Sequence, residues 1–157
     1  MLIHKEFTQA PEFEFRTLEG DFVKSSDLNN KVVVLGFWAT WCAPCIRQFP
    51  EIQSLVDEFK NQPDVAFYMV NTGQAGDSLR QVQSFLELYP YDFPVVYDAA
   101  ARVSRKLAVQ RIPQLLVIDR KGIIRLREIG YLEGGDKISA KLSRYIREFL
   151  EESRRAK

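Results

Sequence analysis

A single α/β domain with a mixed central sheet, flanked by helices on both faces, is the architecture this sequence predicts. Three observations predict it. The run Val32-Val33-Val34-Leu35-Gly36-Phe37-Trp38 is apolar throughout, as a strand covered on both sides must be. Between such runs lie longer stretches with apolar residues at helical spacing, so strands and helices alternate. The alternation closes with a hairpin and a last helix, which a purely parallel sheet would not contain. At 157 residues, 46% of them hydrophobic, the chain is long enough for one core and short for two, so one domain over 1–157 is expected.

The elements follow in order. Phe13-Glu14-Phe15-Arg16 alternates, Glu19-Gly20-Asp21 turns and Phe22-Val23-Lys24 returns, which makes a small N-terminal hairpin. Ser25 to Asn30 is a loop or a single helical turn, and Lys31 to Trp38 is the buried strand. From Ala43 to Lys60 the apolar positions Ile46, Phe49, Ile52, Leu55, Val56 and Phe59 share one helical face, with a kink expected at Pro50. Val65 to Val70 is a strand, Asp77 to Leu88 a helix, Phe93 to Tyr97 a short strand and Ala99 to Leu107 a third helix. Gln114 to Asp119 and Ile123 to Ile129 form a hairpin around Arg120-Lys121-Gly122. Asp136 to about Glu152 closes the chain as a helix, and the charged Arg154-Arg155-Ala156-Lys157 is a frayed end.

Charge and composition exclude several functions. The 22 basic and 21 acidic residues are spread along the chain and leave a net charge of +1, so no nucleic-acid footprint is present. No apolar stretch approaches the roughly 20 residues of a membrane span. Met1-Leu2-Ile3-His4-Lys5 meets charge too soon to be a secretory signal, and the lone His4 is expected to be exposed near a disordered start. Asp64, Asp92, Asp98 and Asp119 fall at strand or turn edges and are expected to serve the turns. Phe85, Tyr89, Tyr91 and Phe93 form an aromatic group whose default role is packing.

Both cysteines lie in Trp41-Cys42-Ala43-Pro44-Cys45, directly after the buried strand and at the start of a helical pattern. None remains for a structural disulfide framework, so the fold must stand on its core. A helix N-terminus offers unpaired N–H groups and the positive end of a dipole, both of which favour a thiolate. A cysteine of ordinary pKa is only about 3% thiolate at neutral pH, and lowering that pKa to about 7 raises the fraction to about half, a difference of about 2 kcal/mol. The dipole alone supplies about 0.3–1 kcal/mol. Hydrogen bonds to the sulfur must supply the rest.

Phe37-Trp38-Ala39-Thr40-Trp41-Cys42-Ala43-Pro44-Cys45, followed by Pro50 and later by Arg111-Ile112-Pro113 before a strand, resembles the thioredoxin superfamily, and within it the TlpA-like branch of thiol–disulfide oxidoreductases. The resemblance covers most of the chain from Phe7 onward, and Asp77 to Tyr97 fits the helix and strand that this branch inserts. It implies a thioredoxin-like fold in which Cys42 is the exposed attacking thiol and Cys45 the resolving one. Ile112-Pro113 would be a cis peptide facing them, leaving the Ile112 backbone to pair with an extended substrate strand. Trp41, Ala43 and Pro44 would line the same substrate site. The implied cofactor is none beyond the redox-active disulfide Cys42–Cys45, and no metal is implied. The implied partners are protein disulfides, among them apocytochrome c cysteines, and an upstream thiol electron donor. The implied place is extracytoplasmic (periplasm or outer membrane face), with any membrane anchor outside this stretch; a cytoplasmic place stays open on the residues alone. Strongly oxidising relatives carry a histidine between the cysteines, so Ala43-Pro44 favours reduction.

Two departures from the branch stand out. A polar or acidic residue common in relatives at the position of Gly36 is missing, and the glutamate three residues after the second cysteine is Gln48. An amide has no proton to titrate. Proton removal from Cys45 is therefore expected to use water or Glu51, one turn beyond Gln48. Three alternatives compete with this reading. Zinc wants about four ligands and meets only two cysteines and one histidine here. A peroxidase of the peroxiredoxin kind needs Thr or Ser three residues before its cysteine, where this chain has Ala39. A non-enzymatic redox-sensing or docking module would use the same fold without turnover.

Overall fold

The computed structural model describes residues 3–134 and 137–155, without the side chains of 153–155. One mixed sheet of eight strands organises them. In chain order the elements are β1 (Ile3–Gln9), β2 (Glu14–Thr17), β3 (Phe22–Lys24), β4 (Val32–Trp38), α1 (Ala43–Phe59), β5 (Val65–Asn71) and α2 (Leu79–Leu86). There follow β6 (Val95–Tyr97), α3 (Arg102–Lys106), β7 (Gln114–Ile118), β8 (Ile123–Ile129) and α4 (Ile138–Arg155). The strand order across the sheet is β1-β8-β7-β4-β5-β6-β2-β3. Strands β4, β5 and β6 run parallel, and the other pairings are antiparallel.

Two cores follow from the two-residue period of β4. Val32, Val34 and Trp38 face one side, where Phe49 and Ile52 of α1, Val82 of α2 and Ile138, Leu142 and Ile146 of α4 cover them. Val33, Leu35 and Phe37 face the other side, under Phe13, Leu28, Val103 and Leu107. Helices thus cover both faces, as the sequence predicts. The aromatic group packs as expected: Phe49 stands edge-on to Trp38, Tyr91 and Phe93 at 5.1–5.6 Å between ring centroids, and Phe85 touches Trp38 at 5.7 Å.

Several boundaries differ from the sequence expectation. The described residues begin in a strand: β1 adds to the edge of the sheet beside β8, with His4 exposed on it. Its side chains are mixed on both faces, so alternation gave no strand signal. Helix α2 begins at Leu79, capped by the Ser78 hydroxyl, while Asp77 turns inward. Ala99 to Leu107 is not one helix. A 3-10 turn at Ala99–Ala101 precedes α3, and Ala100 and Ala101 adopt left-handed φ of +54° at the break. Helix α1 runs through Pro50 as one element, with that proline on its exposed side. Helix α4 extends through Arg154 and Arg155, so the charged tail is not wholly frayed; Asp136, Ala156 and Lys157 lie outside the described residues.

Candidate active site

Register places the two sequence motifs at one end of the sheet. Gln114, the first residue of β7, lies beside Phe37 near the end of β4, so Ile112-Pro113 comes level with the loop that leads from Trp38 to Cys42. Gly130, just past β8, donates its N–H to the Pro113 carbonyl at 2.8 Å. The peptide Ile112-Pro113 is cis. Residues distant in sequence thus meet over the carboxyl end of β4.

Cys42 is the N-cap of α1, with Ala43 and Pro44 as the first two helical residues. Proline suits that turn because the N–H it lacks would have no helical partner there. The two cysteines form a disulfide, with Cα atoms 5.3 Å apart. The Cys45 N–H donates to Cys42 Sγ at 3.3 Å, the kind of bond that a thiolate requires. In this disulfide state Cys42 is only 5% exposed and Cys45 1%, so the expected exposure of Cys42 is confined to a narrow edge of the residue. Both cysteines belong to the apolar cluster that holds Trp38, Ala39 and Phe49. Trp41, 53% exposed, stands beside the pair with its indole N–H on the Gln74 carbonyl at 3.2 Å. Ala43 is exposed, Pro44 and Ile112 are half-buried and Pro113 is buried.

The loop before Cys42 has a support that sequence reasoning missed. Buried Asp77 accepts the Thr40 N–H at 2.8 Å, the Thr40 hydroxyl, and the Asn71 amide at 2.9 Å. The Tyr97 hydroxyl donates to the Asp77 carbonyl at 2.7 Å, and burial followed by the nearby Asp77 and Asp98 charges pushes the Tyr97 phenol upward. The misplaced helix start concealed this role, since Asp77 reads equally well as a first-turn acid. On the other side, the Gln114 amide donates to the Arg111 carbonyl at 3.0 Å, and Arg127 bridges Gln114 and Glu6. No sequence signal marks this brace, because its members come from three strands.

The two expected proton-relay residues part company. Gln48 lies one turn below Cys45 on the same helical face and is buried. Glu51 instead caps α4: its carboxylate accepts the Ser139 N–H at 3.2 Å and the Ser139 hydroxyl at 3.3 Å. Tyr131 also hydrogen-bonds Glu51, and its phenol is pushed up to about 12, first by burial and then by that contact. Six positions beyond Cys45, Glu51 points well around the helix from it, so the expected relay at Glu51 is corrected to a capping role. Gly36 also has a physical reason: a Cβ there would meet Met69 Sδ at 2.5 Å and Leu115 Cδ2 at 3.0 Å. Met69 and Leu115 therefore fill the space that a side chain at position 36 would need.

Known proteins resemble this chain in sequence and fold. The AhpC/TSA family model matches residues 8–127. The thioredoxin-like protein YneN of Bacillus subtilis is 33% identical over 80% of this chain and 72% of its own length. The thiol-disulfide oxidoreductase ResA of the same organism is 35% identical over 74% of this chain, which spans 63% of that protein. A Chlorobium tepidum structure described as a thiol:disulfide interchange protein DsbE superposes with a TM-score of 0.79 at 29% identity, over 94% of this chain and 98% of that one. The chain therefore belongs to the AhpC/TSA family and has the thioredoxin-like fold, on the branch of the thiol–disulfide oxidoreductases.

Proposed function

We propose that this protein is a thiol–disulfide oxidoreductase that reduces protein disulfides outside the cytoplasm, with Cys42 as nucleophile and Cys45 as resolving thiol. The observation that carries this is the cysteine pair at the N-cap of α1, with a first-turn N–H already directed at Cys42 Sγ. In the reduced protein that N–H and the helix terminus favour the Cys42 thiolate. The thiolate attacks one sulfur of a substrate disulfide; a mixed disulfide forms and the other substrate sulfur leaves as a thiolate that takes up a proton. Cys45 then gives up its proton and attacks Cys42 Sγ, which releases the second substrate thiol and closes Cys42–Cys45. Two electrons pass to the substrate, and a dithiol donor restores the pair. With Glu51 engaged at α4, water entering past Cys42 is the proton acceptor for Cys45.

Substrate is held by Trp41, Ala43 and Pro44 on one side and by Ile112-Pro113 on the other. Among the described residues no partner occupies the Ile112 backbone, so an extended segment can pair with it beside the sulfurs. Apocytochrome c cysteines are one fitting substrate class. Reduction is favoured by Ala43-Pro44, which places no histidine between the sulfurs. Against direct peroxidase chemistry stands Ala39, three residues before Cys42.

Two measurements test this. Cys45→Ser should accumulate a disulfide-linked adduct with its target, whereas a purely sensing or docking module would yield none. Equilibration with glutathione and dithiothreitol should give a potential in the range of reducing thioredoxins, about −270 mV; a value near about −120 mV would make the protein an oxidant.

A further inference from the structure

Two groups among the cations of this protein contrast, while others such as Arg16, Arg80 and Arg144 lie scattered and belong to neither. Arg47, Arg120, Arg125, Arg127 and Arg147 each meet a carboxylate within 4 Å. The stretch 99–118 carries Arg102, Arg105, Lys106 and Arg111 and has no Asp or Glu at all. All four are exposed. Among the described residues none of them has an ion pair; Arg105 gives one nitrogen to the Ala100 carbonyl at 2.6 Å.

Position makes the second group informative. Val103, Ser104 and Leu107 turn into the core, so Arg102, Arg105 and Lys106, three and four residues apart, share the outer face of α3. The stretch leaves β6 and enters β7 at the sulfur end of the sheet, because Tyr97 is level with Asn71 and Trp38, and Gln114 with Phe37. It crosses β5 and β4 on the way, about 14 Å in three strand spacings. Arg111 then stands next to Ile112 itself. A substrate of about ten extended residues spans about 33 Å, enough to lie on Ile112 and cover α3 as well.

The basic face is also fixed in place. Buried Asp98 accepts the Val103 and Ser104 N–H groups and the Ser104 hydroxyl at 2.7–2.9 Å. Gly73, with φ of +62°, lies so close to the Asp98 carbonyl that a Cβ would stand 2.5 Å from it. The same 71–77 loop holds Thr40 and Trp41, so α3 and the cysteine loop share one anchor. Meanwhile no exposed large apolar side chain lies in 99–118, as a face that enters a membrane would need.

We propose that the outer face of α3, together with Arg111, docks an acidic segment that flanks the target disulfide. This rests on the protein-disulfide reading above and adds a substrate class to it. Exposed rim charges of this kind raise the rate of encounter and its salt dependence more than they strengthen the finished complex.

The test uses two synthetic peptides with one disulfide each, flanked by Asp and Glu in one and by Lys and Arg in the other. At low salt the reduced protein should favour the acidic peptide by about tenfold in kcat/KM, and the preference should collapse at high salt. The variant R102E/R105E/K106E should invert the preference. A control, K31E/K60E/K121E, changes net charge equally at the opposite end of the sheet and should retain the wild-type ratio. Lysine 106 reversed alone (K106E) should shift the ratio in the same direction by about twofold. Equal effects of the two triple variants, or no preference in the wild type, would overturn the proposal. So would loss of phosphatidylglycerol-vesicle binding in the α3 variant without peptide discrimination, which would make this a membrane-facing surface. The same peptides with serine for cysteine, followed by fluorescence anisotropy, separate docking from chemistry. Binding of the acidic one that depends on α3, without turnover of either disulfide, would sustain the docking surface and sink the oxidoreductase reading.

Discussion

The two sides of the disulfide are held by different forces. On the cysteine side, α1 rests on a wall of rings: Phe49 against Trp38, Tyr91 and Phe93, with Phe85 behind Trp38. On the cis-proline side the support is polar: Gln114 on the Arg111 carbonyl, Arg127 between Gln114 and Glu6, and Gly130 on the Pro113 carbonyl. Apolar packing at interior density leaves little room for rearrangement. A brace of hydrogen bonds contributes less energy and yields more easily. The sulfurs are thus set by a rigid helix, while the segment proposed to receive substrate is positioned by contacts that can adjust.

The sharpest way to break this contrast is Phe49→Ala, which should destabilise the protein by about 3–5 kcal/mol in denaturant unfolding. A loss under about 1 kcal/mol would mean the ring wall collapses without harm and carries no scaffold role. Next comes Asp77→Ala, which strips the Thr40 loop of its anchor and leaves the Asn71 amide unpaired. It should cost about 2–3 kcal/mol and slow the first exchange step, since Cys42 would no longer be held against its N–H donor. Smaller still is Gln114→Leu. We expect a stability loss of about 1 kcal/mol with KM for a peptide disulfide raised several-fold and kcat nearly unchanged. A fall in kcat at constant KM would place Gln114 in the chemistry instead.

The smallest effect falls on Glu128, and it carries a sign. This residue is 2% exposed on the α1 and α4 face of β8, with both carboxylate oxygens lacking a partner among the described residues. Burial pushes its pKa above the ordinary 4.5, against the opposing pull of Lys141 and His4. The folded state therefore holds this proton to higher pH than the unfolded state, so stability falls as pH rises through 4.5 toward the raised value. Glu128→Gln removes the ionisation and should stabilise the protein by about 1 kcal/mol at neutral pH, with no gain below pH 4.5. A destabilised variant at neutral pH would show that the carboxylate has a favourable role after all.

The same contrast governs how much the sequence reveals. The rigid side is legible because its signals are local: an apolar strand, a cysteine pair at a helix start, and a helical stripe from Ile46 to Phe59. The aromatic group in the inserted segment belongs to this side and packs as its composition implies. The polar side is assembled from residues far apart, such as Glu6, Gln114 and Arg127, whose pairing depends on register that no short window contains. Strand β1 escaped notice for the same reason, since its edge position leaves both faces mixed. Glu51 misled because one-turn spacing suggests a relay, whereas the contact with Ser139 arises only when α4 docks on α1. Ala99 to Leu107 looked like one helix because alanine favours helix, yet the Asp98 cap and the left-handed Ala100 and Ala101 restart it at Arg102.

Titration of the reduced protein by thiolate absorbance, with Cys45→Ser to isolate Cys42, bears most directly on the claim that the helix start activates one sulfur. The arrangement of Cys42 Sγ and the Cys45 N–H predicts a midpoint well under the ordinary value of about 8.5. A midpoint at about 8.5 or higher would contradict it, and with it the assignment of Cys42 as the attacking group.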